Sequence, residues 1–293
     1  MRPGNPGSVP PHQARPHGRL RGSRWFRWLA KPSARLVSTT VLAVLAIIFA
    51  TPADGGTTSL AARFAKAVGL LPRASQVGTS FGGTPAVGAL FKTSNGKLGT
   101  HFCTASVVNS THGNLLITAA HCVTGDTGTI AFVPGYVNGS SPYGVWYVTK
   151  VFTDDAWNAS SSDDDDVAFA EVAQHGSSTP IEDVTGAEQL GIGLPAEEQA
   201  KVIGYPNGAS EPVICENWTR PFSSSQMEFD CAGYPDGTSG GPFLIRLNRS
   251  TGQGTVVGVI GGYEQGGYTP AVSYSVLFGQ QVQSLYRTAE SGS

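Results

Sequence analysis

The sequence predicts an all-β protein, either a sandwich or a pair of closed barrels. From about residue 84 onwards, eleven short apolar runs follow one another, separated by Gly, Pro, Asn and Ser. The 293 residues include 38 glycines, while 14 % are charged, a composition that suits tight turns better than a helical bundle. The C-terminal stretch instead spaces Val282, Leu285 and Tyr286 at i, i+3 and i+4, so an amphipathic helix is expected to close the domain and pack on it.

The elements follow in order. Residues 1–53 hold eight of the 19 basic residues and no acid, then the apolar run 36–50 and the small residues Thr51-Pro52-Ala53. A cationic start, an apolar core and a small-residue end describe a secretory signal. Spanning a bilayer takes about 20 apolar residues, and the run approaches that length, so an uncleaved membrane anchor is the alternative. Either way the domain beyond it is exported, with membrane contact only through this segment. Residues 54–83 carry Leu60, Phe64, Val68, Leu70 and Leu71 before Pro72 and read as a propeptide or an N-terminal arm. Residues 84–293 form the functional domain. Its expected strands are 86–92, 101–108, 115–118, 144–152, 167–172, 200–204, 212–218, 227–231, 241–246, 255–261 and 271–275, each a short apolar run bounded by turn residues.

Beyond residue 53 eleven basic residues face all 21 acids. An acidic domain with no basic stripe is a poor nucleic-acid binder, and nucleic acid is not an expected partner. The four cysteines, Cys103, Cys122, Cys215 and Cys231, lie in the exported part, where an even number points to two disulfides. Nearest-neighbour pairing, Cys103 with Cys122 and Cys215 with Cys231, is the simplest of three connectivities. The absence of any C-x-x-C argues against a zinc site.

The chemistry is concentrated in three places. Ser239 sits in Gly237-Thr238-Ser239-Gly240-Gly241, where glycines let the backbone fold sharply around a serine side chain. A serine hydroxyl is a weak nucleophile and needs a base. His121 follows the apolar run 115–118 and adjoins a cysteine, which would hold it rigidly at a strand end. Asp166 closes the run Asp163-Asp164-Asp165-Asp166 and abuts an apolar strand, so it is the acid best placed to turn inward and fix the imidazole tautomer, with Asp165 second. The amides of Gly237 and Ser239 would form an oxyanion hole. The serine motif also fits the G-x-S-x-G elbow of α/β-hydrolases, but those enzymes place the histidine after the serine, and all six histidines here precede Ser239.

Thr118-Ala119-Ala120-His121-Cys122, Asp166-Val167-Ala168-Phe169 and Gly237-Thr238-Ser239-Gly240-Gly241-Pro242 resemble the three motif blocks of chymotrypsin/trypsin-like serine endopeptidases. Phe102-Cys103-Thr104-Ala105-Ser106 and Gly204-Tyr205-Pro206 are most similar to secreted bacterial trypsin-like and glutamyl-endopeptidase-like members. The resemblance covers about residues 84–290. It implies two six-stranded antiparallel β-barrels, with His121 and Asp166 from the first and Ser239 from the second. It further implies hydrolysis of protein or peptide substrates by a monomer that needs no metal or organic cofactor. The alternatives are a catalytically weak binding module on the same scaffold and an exported esterase. Thr238 stands where the trypsin branch has an aspartate that pairs with a new N-terminal ammonium, so activation through that ion pair is not expected. The primary pocket is expected at Gly233, Ile260, Gly261 and Gly262. With an apolar Ile260 where glutamate-specific relatives carry histidine, and Gly233 six before the nucleophile, an uncharged or mixed preference is expected.

Overall fold

A computed structural model of the protein describes residues 76–125 and 127–292. The segment 1–53, and residues 54–75 of the arm, lie outside the described residues. Fourteen strands dominate the described residues. Six of them, β2 (Val87–Ser94), β3 (Lys97–Val108), β4 (Leu115–Thr118), β5 (Ile130–Pro134), β6 (Trp146–Thr153) and β7 (Ala168–Ala173), close a barrel in the order β2-β3-β4-β7-β6-β5, with every pairing antiparallel.

The second sheet has eight strands. It runs β14 (Val272–Val276), β11 (Gln226–Asp230), β10 (Val213–Pro221), β9 (Gln199–Gly204), β12 (Pro242–Ile245), β13 (Thr255–Val259) and β8 (Gln189–Leu190), and β1 (Thr79–Ser80) pairs with β10. The expected six are all there. The two extra strands are two-residue pieces, β1 from the N-terminal arm and β8 from the connection between barrels. The arm is tied down further, since Ala232 N donates to Gln76 O at 2.8 Å and Gly78 N to Ala232 O at 2.7 Å.

Successive side chains of a strand point to opposite faces, and here both faces are often buried. Leu90, Cys103, Ala105, Val107, Leu116, Phe132 and Trp146 fill the first barrel. Their strand neighbours Val87, Ala89, Val108, Leu115, Ile117 and Phe169 pack with Ile203, Tyr205, Leu244 and Val256 of the second sheet. Strands covered on both sides read as unbroken apolar runs, which is how Leu115-Leu116-Ile117 of β4 and Ile130–Pro134 of β5 look in the sequence. Met227, Phe229, Phe243 and Val257 fill the second sheet with Val202 and Ile260.

Helix α1 (Asp155–Ser160) is capped by Asp154, whose side chain accepts from Ala156 N, and α2 (Ile181–Thr185) precedes the crossing to the second sheet. Terminal helix α3 (Gln280–Ser291) buries Val282, Leu285 and Ala289, while Tyr286 stacks 5.5 Å from Phe169 and donates to Asn109 O at 2.8 Å. Disulfides join Cys103 to Cys122 and Cys215 to Cys231, so the first ties β3 to the turn that carries His121. Between the barrels Glu188 N donates to Val107 O and Asn109 N to Glu188 O, both at 2.9 Å. Its fully buried carboxylate takes Gly254 N on one oxygen and leaves Oε1 without a partner. Among the described residues, no helix is long and apolar enough to cross a membrane.

Candidate active site

Strand β4 ends at Thr118, and the chain tightens at once into a 3-10 turn, Ala120–Val123, that carries His121. Asp166 lies at the entrance to β7, fully buried. Its two oxygens are saturated. Oδ1 accepts the His121 amide at 2.9 Å, and Oδ2 accepts His121 Nδ1 at 2.7 Å and Gly262 N at 3.0 Å. A buried carboxylate is costly unless donors surround it, and three charge-assisted bonds supply that here. With Nδ1 committed to Asp166 as a donor, Nε2 is the imidazole nitrogen with a free lone pair. Asp165, the second choice from sequence, turns away and accepts from the Ser162 hydroxyl at 2.7 Å.

The serine loop runs between Tyr234 and β12. Gly237 adopts φ 96° and Gly240 φ 79°, conformations that side chains disfavour. Gly240 also lies hard against the histidine turn, since a Cβ built on it would stand 3.1 Å from Ala119 N and overlap Thr118 Oγ1 and Thr104 O. Hydrogen bonds fix the loop from outside. Thr104 N donates to Ser239 O at 2.7 Å and Gly240 N to Ile260 O at 2.7 Å. Buried Thr104 Oγ1 donates to Gly237 O at 3.0 Å and accepts Tyr205 N at 2.8 Å, while Thr118 Oγ1 donates to Thr104 O at 2.7 Å. Thr238 N and Gly241 N bond within the loop, whereas the amides of Gly237 and Ser239 donate to no group among the described residues. Thr238 itself is buried, and its hydroxyl donates to Pro235 O at 2.8 Å. An internal partner therefore satisfies the residue that differs from the trypsin branch.

A cavity of about 320 Å³ opens beside Ser239, walled by Tyr234, Asp236, Thr238, Ile260 and Tyr268. Among the described residues Asp236 is its one lining carboxylate, and no Lys, Arg or His lines it. Of the four residues expected in the primary pocket, Ile260 lines this cavity. Gly233 does not line it and donates at 2.8 Å to the carbonyl of Pro270, which does. Gly261 and Gly262 sit against Asp166 instead, where a Cβ on Gly261 would fall 2.9 Å from Asp166 Oδ2. Ligand atoms of Cys103, Cys122 and His121 come within 4.8 Å of one another, but both sulfurs are joined in a disulfide and His121 Nδ1 is held by Asp166. That trio has no free donor set for a metal.

Sequence reasoning did not single out Thr104 or the Gly262 amide. Thr104 stood inside an apolar strand, and its only signal was a hydroxyl in a run that otherwise reads as core.

A family model for the trypsin-like peptidase domain matches residues 103–259, more than half of the chain. The chain belongs to the trypsin-like peptidase family. A search by sequence among curated proteins finds no match. Among solved structures, the peptidase is similar to the protease Anisep from Arthrobacter nicotinovorans at 25 % identity and a TM-score of 0.61, covering 73 % of this chain and 100 % of that one. It is similar also to the thermostable serine protease AL20 from an extremophilic microorganism at 26 % identity and a TM-score of 0.60, covering 72 % and 99 %. A Glu endopeptidase shares the fold at 15 % identity and a TM-score of 0.56, covering 75 % and 100 %. The peptidase is a serine-type endopeptidase with the chymotrypsin-like fold.

Proposed function

We propose that this is an exported endopeptidase that cleaves peptide bonds through an acyl-enzyme on Ser239. His121 acts as base and acid, and Asp166 holds the imidazole. In this reading residues 1–53 are an export signal or anchor, 54–83 an arm or propeptide and 84–293 the catalytic domain. The observation that carries it is the His121–Asp166 pair beside the serine loop, whose Gly237 and Ser239 amides donate to no group among the described residues.

The steps follow from those positions. Ser239 Oγ bonds to the substrate carbonyl carbon while His121 Nε2 takes its proton, and the carbonyl oxygen becomes an oxyanion facing the Gly237 and Ser239 amides. His121 then gives the proton to the leaving nitrogen as the C–N bond breaks, which leaves an ester on Ser239. Water repeats the sequence, with His121 taking its proton and returning one to Ser239 Oγ as the acid departs. Asp166 keeps Nδ1 protonated throughout and stabilises the imidazolium. No step draws on a metal or organic cofactor.

The cavity walls disfavour an acidic side chain in the residue that supplies the carbonyl, because Asp236 repels a carboxylate and no Lys, Arg or His among the described residues lines the cavity to offset it. The test is hydrolysis of casein and of a peptide library by the full chain and by its Ser239→Ala variant. The variant should lose roughly 10⁶ in turnover. Undiminished cleavage by the variant would overturn the assignment, and a library profile dominated by Glu would overturn the preference.

A further inference from the structure

Four aromatic rings form a continuous cluster beside the cavity. Phe222 lies 5.0 Å from Tyr263 and 4.7 Å from Tyr274, Tyr263 lies 5.1 Å from Tyr274, and Tyr268 stands 5.9 Å from Tyr263. Phe222 is 43 % exposed and Tyr268 74 % exposed, although apolar side chains of this size usually gain by burial. Tyr268 belongs to both features, since it also lines the cavity. The chain reaches Tyr263 three residues after Ile260, which lines the cavity.

The surround is acidic. The Tyr268 hydroxyl donates to Glu264. Gln226 accepts Tyr263 N at 2.7 Å and donates to Asp164 at 2.7 Å. Tyr274 is held above its usual pKa, first by burial and then by the nearby charges of Glu228, Tyr263 and Asp230. Arg220, alongside these carboxylates, is already bonded to both Glu228 and Asp230. Lysines lie over rings elsewhere, Lys92 over Phe102 and Lys150 over Phe152, whereas among the described residues none lies over these four. Exposed rings present a negative face, and Glu264 and Asp164, which pair with no cation among the described residues, add to the same potential, whereas Arg220 offsets Glu228 and Asp230.

We propose that this shelf seats a lysine or arginine side chain of the substrate, within three positions of the residue whose side chain fills the cavity. The proposal rests on Ser239 being the nucleophile, because only then must a bound peptide pass from the cavity onto the shelf. The seat combines a ring-face contact with acidic neighbours, so it selects for positive charge next to a cavity whose Asp236 selects against negative charge.

The test uses fluorogenic peptides with one fixed cavity residue. Lys, Arg, Gln or Glu is placed in turn at each of the three positions on either side of it. At one position Lys and Arg should exceed Gln in kcat/KM by about 3- to 20-fold, the range expected of cation–ring contacts, and exceed Glu by more. Phe222→Ala should remove most of that advantage, and Phe222→Tyr, which keeps a ring, should retain it. Equal rates for Lys and Gln at every position would overturn the proposal, as would an undiminished advantage in a folded Phe222→Ala. If the Gln peptides are cleaved in a Ser239-dependent way without any Lys preference, the shelf proposal alone fails. If no peptide is cleaved and Ser239 takes no organofluorophosphate, the catalytic reading fails with it.

Discussion

Glu188 gives the sharpest energetic prediction. It is fully buried at the crossing between the barrels, with a single donor, Gly254 N, and one oxygen unpartnered. Burial raises its pKa from 4.5 to about 7, and the Gly254 bond only partly offsets this. The folded pKa exceeds the unfolded one, so the protonated carboxyl contributes stability in full below pH 4.5 and loses it as pH rises through about 7. The difference corresponds to about 3 kcal/mol, a sizeable part of the roughly 5–15 kcal/mol that holds a domain together. Glu188→Gln keeps the acceptor for Gly254 and cannot ionise. In urea unfolding from pH 4.5 to 8 the wild type should therefore lose about 3 kcal/mol relative to Glu188→Gln, so that the variant is the more stable above neutrality. Comparing the two proteins cancels every other titrating group. Stability curves that stay parallel across this range would refute the reasoning.

Three further outcomes follow from the site. Asp166→Asn should leave KM nearly unchanged but lower kcat about 10⁴-fold, because an amide no longer holds Nδ1 protonated; steady-state kinetics on one peptide will decide. Thr104→Val leaves Tyr205 N buried without an acceptor and frees Gly237 O, so we expect about 1–3 kcal/mol of destabilisation in chemical unfolding and a fall in kcat larger than any rise in KM. Since Thr238 is satisfied by Pro235 O, chains beginning at residue 54 and at residue 76 should hydrolyse the same peptide at similar rates, and an activity that demands one particular N-terminus would count against this.

Much of this was legible because the strands announce themselves as short apolar runs. Strand β4 falls on residues 115–118 as expected, and the boundaries of β7, β9 and β13 differ from expectation by one or two residues. Strand β5 was missed although Ile130–Pro134 is apolar throughout. All five residues are buried, like the four of β4, but the run ends on Pro134, a residue that reads as a strand breaker. Strands β1 and β8 are two residues long and exist only through their partners in the second sheet, which no local pattern reveals. At the site, chain order placed the histidine, acid and serine in one family, but their supports were hidden. Thr104 reaches Gly237, 133 positions away, and the Gly262 amide reaches Asp166 across 96. Sequence also grouped Gly261 and Gly262 with the cavity through their adjacency to Ile260, whereas the chain turns them towards Asp166.

The most direct test of the catalytic account is to find where an organofluorophosphate attaches. The full chain should carry one adduct, mapped by peptide mass to Ser239, with its formation strongly slowed in His121→Ala and absent in Ser239→Ala. An adduct on another residue, or none at all on a folded protein, would contradict the account.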